Sequence, residues 1–173
     1  MYHRLAEILG RHAAGVFKTM SGLEPDRLEI VEALQTDGPR YPVGVRVDFL
    51  GNNQANRKVS GFFICAFETF DAAKDIAVVI AKKMGVLDSL SGDDLEGVDN
   101  VLGEFLNIII GLTCSDWSDH GLTTEFDPPE KLVLCPEVEN PLGSRGFHLT
   151  MTAIDHPPIS FFLVLLPESA AIS

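Results

Sequence analysis

Hydrophobic and polar residues follow two different periods along this chain, and the periods predict its secondary structure. Apolar residues recur at the spacing of an amphipathic helix in three segments, 2–20, 71–84 and 98–112. In four further segments they alternate with polar residues or form short apolar runs, as strands do, at 43–50, 59–67, 146–154 and 160–166. Turn-forming residues separate the strands of each consecutive pair, which predicts two β-hairpins.

The remaining segments are less regular. Two edge-like strands are expected at 122–126 and 131–135, on either side of a Pro-Pro pair. The connector at 21–42 contains a short periodic piece near 28–34. We expect loops in the acidic run 89–96 and in the stretch from 113 to about 120.

The order of these elements predicts an α+β fold. We expect one domain over residues 1–173, with a mostly antiparallel sheet, helices packed on one face and two central helices. The segment 160–166 is nearly all apolar, which is typical of a central strand. Two hairpins around central helices suggest a duplicated half, although the sequence contains no repeat strong enough to assert it.

The helix at 98–112 carries a narrow polar stripe. When residues are stepped about 100° apart around the helix, every position within a sector of about 120° is polar or glycine. The stripe holds Gly97, Asn100, Gly103, Glu104, Asn107 and Gly111. Because nearly all other positions are apolar, with Asp99 the exception, we expect about two thirds of the circumference to be buried.

Glycine is unusual on an exposed helix face, because each one costs about 1 kcal/mol relative to alanine. It is expected where another molecule must approach the backbone closely. The alternative is that Gly111 caps the helix and that Gly97 and Gly103 have no special role. The stripe is nevertheless the strongest candidate in the sequence for a binding or catalytic surface.

Composition and charge exclude several classes of function. The net charge is −12 with only thirteen Lys and Arg residues, so nucleic acids and anionic membrane surfaces are unfavourable partners. Charged residues near the N-terminus interrupt any signal-peptide core, and the longest apolar run, 159–166, is too short to span a membrane. The scattered cysteines, Cys65, Cys114 and Cys135, are typical of reduced thiols, which favours a cytoplasmic protein.

Other candidate sites have weaker signals. Four potential metal ligands lie close together in sequence: Cys114, Asp116, Asp119 and His120. Their spacing matches no zinc pattern, so solvated acids on a loop are the simpler interpretation. His148 and His156 are expected on a strand face and in a turn, and Trp117 at an edge of the core. The sequence contains no nucleophile elbow, phosphate loop or dinucleotide fingerprint.

The polar stripe resembles a known active-site helix. The stretch 100–111 is similar to that of the CheC/CheX/FliY chemotaxis phosphatases, whose pattern is Asp or Ser, three residues, Glu, two residues, Asn, and commonly Gly four residues later. Glu104, Asn107 and Gly111 match this pattern, whereas Asn100 replaces the Asp or Ser. The segment 13–20 is also similar to the first helix of CheX proteins.

The same resemblance indicates a single site. CheC-like members carry the pattern on both central helices. In this chain, the matching positions of the first central helix hold Asp71, Asp75 and Val78. The sequence therefore resembles the single-site CheX type.

The resemblance implies an activity and a partner. The substrate would be the phosphoaspartate of a CheY-like receiver domain. Glu104 would pair with the receiver's active-site lysine and Asn107 would orient the attacking water. Asn100, Gly103 and Gly111 would contact the receiver. The receiver's own Mg²⁺ would serve the reaction, so the resemblance implies no metal ligands or cofactor in this chain.

The sequence is also compatible with other functions and with a homodimer. The chain could be a non-catalytic receiver-binding module or a flagellar-switch-like module, since one fold can carry several functions. A small-molecule sensor has no sequence feature in its favour. The strand at 160–166 could pair across a homodimer, as sheets do in CheX-like proteins, or be buried within one chain.

Overall fold

In the described part of the chain, six antiparallel strands form one sheet, and three helices pack on one of its faces. The computed structural model describes residues 2–32, 43–86, 90, 95–131 and 143–167. The helices are α1 (Tyr2–Ser21), α2 (Phe70–Met84) and α3 (Leu95–Asp119). The strands are β1 (Arg27–Glu32), β2 (Val43–Asn53), β3 (Lys58–Phe67), β4 (Leu122–Phe126), β5 (Arg145–Thr152) and β6 (Ile159–Leu165). Their order across the sheet is β1-β5-β6-β3-β2-β4, which confirms the predicted α+β architecture.

The central strands are buried on both faces. Alternate residues of β3 and β6, such as Phe63 and Leu163, belong to the main core under the helices. Their neighbours Phe62, Phe162 and Val164 form a second apolar cluster on the opposite face. Because β6 pairs with β5 on one edge and β3 on the other, it leaves no free edge for pairing across a dimer.

The caps of α2 follow from its sequence. The Thr69 hydroxyl accepts a hydrogen bond from the Ala72 N–H at 3.0 Å, as an N-cap does. Gly85 has a φ of 74° and its N–H is directed to the carbonyls of Ala81 and Lys82. Glycine adopts this left-handed conformation at the lowest cost, so the predicted C-cap is confirmed.

Several predicted boundaries were wrong. β2 continues to Asn53, because the turn is set by the Asn53 side chain, which accepts hydrogen bonds from the N–H groups of Ala55 and Arg57 at 3.0 Å each. Residues 28–32 of the periodic piece near 28–34 lie on the strand β1, and residues 33–34 lie outside the described residues. β5 ends at Thr152, two residues before the prediction. Of the predicted strand 131–135, only Lys131 lies within the described residues, and it is not in a strand.

His148 lies on the sheet face opposite the helices. Its ring stacks on Phe162 with centroids 4.5 Å apart, and its Nε2 lies 3.2 Å from the Ser160 hydroxyl. Burial lowers the pKa of this imidazole below its ordinary value of 6.5, because the charged form is poorly solvated there. The predicted strand-face position of this histidine is confirmed.

This burial predicts a pH dependence of stability. Since the unfolded chain binds a proton at His148 more readily than the folded chain, the neutral ring favours folding above about pH 6.5. That contribution is lost as the pH falls from there through the lower pKa of the folded state. We expect the urea midpoint to decrease between pH 7.5 and 5.5, and to decrease less in His148→Gln. Equal pH dependence in both proteins would contradict this origin.

Candidate functional site

Helix α3 is fixed by contacts along most of its length. Its buried side chains are Val98, Leu102, Phe105, Leu106, Ile109, Ile110, Thr113 and Trp117. Phe105 meets Phe17 of α1 edge to face, with centroids 6.5 Å apart. Near the other end, the Trp117 Nε1–H donates to the Leu5 carbonyl at 3.1 Å. A helix held at both halves presents its remaining face in a defined position.

The structure extends α3 beyond both predicted ends. Residues 113–119, predicted as irregular, continue the helix because Thr113 and Trp117 maintain its buried face. Trp117 is fully buried, with its ring centroid 5.4 Å from that of Phe49 and 5.7 Å from that of Phe126 on the edge strand β4. At the other end, Leu95 and Glu96 form the first turn rather than a loop.

Asp116 adds a polar link between α3 and α1. Its carboxylate accepts from Arg11 Nη2 at 2.5 Å and lies 2.9 Å from His12 Nε2. The hydrogen bond with His12, followed by the charges of His12 and Arg11, holds the pKa of Asp116 below its ordinary range. Because these groups are partly exposed, their contact adds little to stability. Its main effect is to orient α3 relative to α1. No local pattern indicates this contact, because Arg11 and Asp116 are 105 positions apart.

The polar stripe of α3 is presented to solvent. Asn100, Glu104, Asn107 and Gly111 are exposed and Gly103 is half-buried. Glu104 and Asn107 lie about one turn apart on the same face, where their Cβ atoms are about 5–6 Å from each other. Within the described part of the chain, neither side chain has a hydrogen-bond or ion-pair partner. Both are therefore available to an external molecule. Gly97 departs from the prediction, because it is buried.

Two apolar residues also lie on this exposed side. Ile108 is 36% exposed and Leu112 is 45% exposed, although both were predicted to be buried. The prediction was wrong because the sheet, α1 and α2 cover a narrower part of α3 than its apolar pattern indicates. The surface around the Glu104–Asn107 pair therefore combines polar and apolar groups.

The two glycines of the exposed stripe have no packing reason to be glycine. A Cβ atom added at Gly103 or Gly111 would meet no atom within 4 Å. By contrast, a Cβ atom at Gly61 would lie 2.2 Å from the Val164 carbonyl, so that residue must remain glycine within this chain. Internal packing thus explains Gly61 and leaves Gly103 and Gly111 unexplained.

The groups considered as a metal site point in different directions. Cys114 approaches Thr124 on β4, with Sγ 3.7 Å from the threonine hydroxyl, and burial raises the pKa of its thiol. Asp116 turns to α1, whereas the His120 ring bonds back to the Asp116 carbonyl at 2.8 Å. Residues 114–119 belong to α3, not to a loop. Among residues 2–32, 43–86, 90, 95–131 and 143–167, no three His, Cys, Asp or Glu side chains form a group able to hold a metal ion.

Other sequence predictions can be placed as well. His156 lies in the turn before β6, where its N–H donates to the Ala153 carbonyl at 3.2 Å. Cys65 is buried in β3 and takes no part in a disulfide, whereas Cys135 lies outside the described residues. Among the described helices, α3 alone is long and apolar enough to cross a membrane by length and composition, but half of that stretch is buried inside the fold. This is the behaviour of a core helix.

Solved structures of chemotaxis proteins share this fold. CheX in a CheX–CheY–BeF3–Mg²⁺ complex from Borrelia burgdorferi is 18% identical over 94% of this chain and 97% of that chain, with a TM-score of 0.69. CheX from Vibrio vulnificus is 15% identical over 94% and 99% of the two chains, with a TM-score of 0.70. FliY from Thermotoga maritima is 17% identical over 91% and 83%, with a TM-score of 0.56. The chain therefore has the CheX- and CheC-like fold that its sequence predicted.

Sequence comparison alone does not reach these proteins. No protein-family model matches the chain, and no curated protein matches it in sequence. The fold likeness thus comes from the arrangement of helices and strands. The function must be argued from the residues on α3.

Proposed function

We propose that this protein is a CheX-like phosphatase of phosphorylated receiver domains and acts through Glu104 and Asn107. One observation carries the proposal: a carboxylate and an amide, both exposed and without partners among the described residues, lie one turn apart on a rigidly held core helix. The fold is that of CheX, and one CheX of this fold was crystallised with CheY, BeF3 and Mg²⁺.

The chemistry requires little from the catalyst. An acyl phosphate is already reactive, so the main task is to place a water in line with the phosphorus and to exclude other geometries. The Asn107 amide would orient that water. Attack forms a new P–O bond and breaks the bond to the aspartate carboxylate, which releases inorganic phosphate and restores the aspartate.

Glu104 would hold the partner in register. A carboxylate paired with the receiver's active-site lysine forms a charge-assisted contact that fixes both distance and orientation. The receiver would supply the Mg²⁺ that stabilises the phosphoryl charge, so we propose no cofactor for this chain. Asn100, Gly103 and Gly111 would complete the contact surface, and the reaction would take place in the cytoplasm.

A direct assay tests the activity. A CheY-like receiver is phosphorylated with a small phosphodonor, and phosphate release is followed with and without this protein. We expect acceleration by the wild type, and much less by Glu104→Ala. Glu125→Ala, which removes an exposed carboxylate on β4, is the matched control and should retain full activity. Equal acceleration by wild type and Glu104→Ala would contradict the assigned role of Glu104.

The alternative is a non-catalytic receiver-binding or flagellar-switch-like module. The structural likeness to FliY keeps this alternative open, because the same fold can serve different functions. It predicts binding of a BeF3-loaded receiver without any increase in phosphate release. The intact Glu104–Asn107 pair favours catalysis.

Gly111→Ala is predicted to separate stability from activity. Because an added Cβ meets no atom within 4 Å, alanine should raise the free energy of unfolding by about 0.5–1 kcal/mol through its higher helix propensity. If Gly111 is needed for close approach of the receiver, the same change should lower the phosphatase rate. Urea denaturation and the phosphate-release assay measure the two effects.

Gly15→Ala provides the matched control for this prediction. Gly15 is an exposed glycine inside α1 with equally open surroundings, so alanine there should stabilise the protein without changing activity. If Gly111→Ala keeps full activity, close approach at this position is not required.

A further inference from the structure

The proposed reaction uses Glu104 and Asn107 but leaves the neighbouring apolar residues without a role. Ile108 and Leu112 lie one turn apart and expose 36% and 45% of their surfaces. Ile108 follows Asn107 directly in sequence, and it lies about 40° around the helix from Glu104. These two side chains are named the apolar ledge.

The position of the ledge decides what can cover it. Single exposed apolar residues are common on protein surfaces and need no explanation. Here two of them adjoin the reactive pair, so any molecule that contacts both Glu104 and Asn107 must also cover Ile108. The occupant of the ledge is therefore the same molecule that reaches the pair.

A second copy of this chain does not suit the surface. The exposed acidic residues of α3 are Glu96, Glu104 and Asp119, and the helix contains no Lys or Arg. A symmetric contact through this face would bring two such helices, and two Glu104 carboxylates, against each other. A partner with a positively charged site beside an apolar patch complements it.

We propose that the apolar ledge docks the receiver domain on an apolar patch next to its phosphorylation site. This inference rests on the proposed function and assigns affinity and catalysis to different residues of the same surface. Ile108 and Leu112 supply affinity by burying apolar area, which is insensitive to salt. Glu104 and Asn107 supply register and catalysis. Loss of the ledge therefore raises Kd and KM and leaves kcat unchanged.

The test uses the full chain and a CheY-like receiver loaded with BeF3 and Mg²⁺, which requires no catalysis. Binding is measured by titration calorimetry for the wild type and for the double variant Ile108→Ser/Leu112→Ser. We expect about a tenfold or greater increase in Kd, the size of effect expected when apolar contact residues are truncated. Ile108→Val/Leu112→Met, which keeps the surface apolar, should retain most of the affinity.

The matched control is Val31→Ser. Val31 is 55% exposed, lies on β1 at the opposite edge of the sheet from β4, and is not part of α3. This variant should bind as the wild type does. Serine removes some buried apolar area and lowers helix or strand propensity, so a modest decrease of the urea midpoint is expected. Urea denaturation and circular dichroism must therefore show that each variant is still fully folded under the binding conditions.

The outcomes separate the two proposals. Equal Kd values for wild type and double variant would overturn the ledge, even if phosphate release is normal. Weaker binding by the double variant supports the ledge, even if the wild type releases no phosphate and the proposed catalysis fails. Absence of any binding by the wild type to the receivers tried would overturn both. A fall in kcat at saturating receiver would overturn the division between affinity and catalysis.

Discussion

Replacing Asn107 with alanine is expected to lower kcat for receiver dephosphorylation by on the order of 100-fold. This is the typical loss when a group that positions a reactant is removed or displaced. The free energy of unfolding should change little, because Asn107 is exposed and has no internal partner within the described residues. The two measurements are phosphate release at saturating receiver and a urea denaturation curve.

The controls for Asn107→Ala use the same chemistry elsewhere. Asn52→Ala removes an exposed amide on β2 and should leave kcat unchanged. Glu104→Ala should raise KM, because it removes the ion pair with the receiver. For the same reason, salt should affect the KM of this variant less than that of the wild type. If Asn107→Ala retains the wild-type kcat, the amide does not orient the attacking water.

Replacing Trp117 with alanine is expected to cost about 3–5 kcal/mol of stability, a large part of the 5–15 kcal/mol typical of a whole domain. Trp117 is fully buried, and its ring centroid lies 5.4 Å from that of Phe49 and 5.7 Å from that of Phe126. Its loss leaves a cavity between α3 and the sheet. It also removes the hydrogen bond to the Leu5 carbonyl. Trp117 is the only tryptophan, so the variant has no tryptophan fluorescence. Urea denaturation is therefore followed by far-UV circular dichroism.

Trp117→Phe distinguishes packing from hydrogen bonding. Phenylalanine keeps an aromatic ring in the site but cannot donate to Leu5, so we expect a smaller loss than for alanine. A loss below about 1 kcal/mol for Trp117→Ala would show that the C-terminal half of α3 does not depend on this anchor.

The predicted elements succeeded where the local pattern was strong. The hairpin strands and the helix at 71–84 have clear periods, and the caps of α2 use side chains within the same segment. Boundaries failed where the deciding contact was distant. The α3 helix continues past residue 112 because Trp117 reaches Leu5 and Asp116 reaches His12, and neither partner is near in sequence.

The candidate site shows the same division. Glu104, Asn107 and Gly111 could be placed on one face of a helix from local pattern alone, because helical geometry fixes the relative directions of residues three to four positions apart. The sequence also determined the α+β order of elements, because period and length are local properties.

Which side of α3 meets solvent, and how wide that side is, depends on the packing of the other elements against the helix. The apolar pattern predicted that Ile108 and Leu112 would be buried, yet the sheet and the other two helices cover α3 only in part. The open space around Gly103 and Gly111 likewise depends on neighbours that are remote in sequence. An apolar side chain can be buried without a desolvation penalty, but it is buried only where another element packs against it.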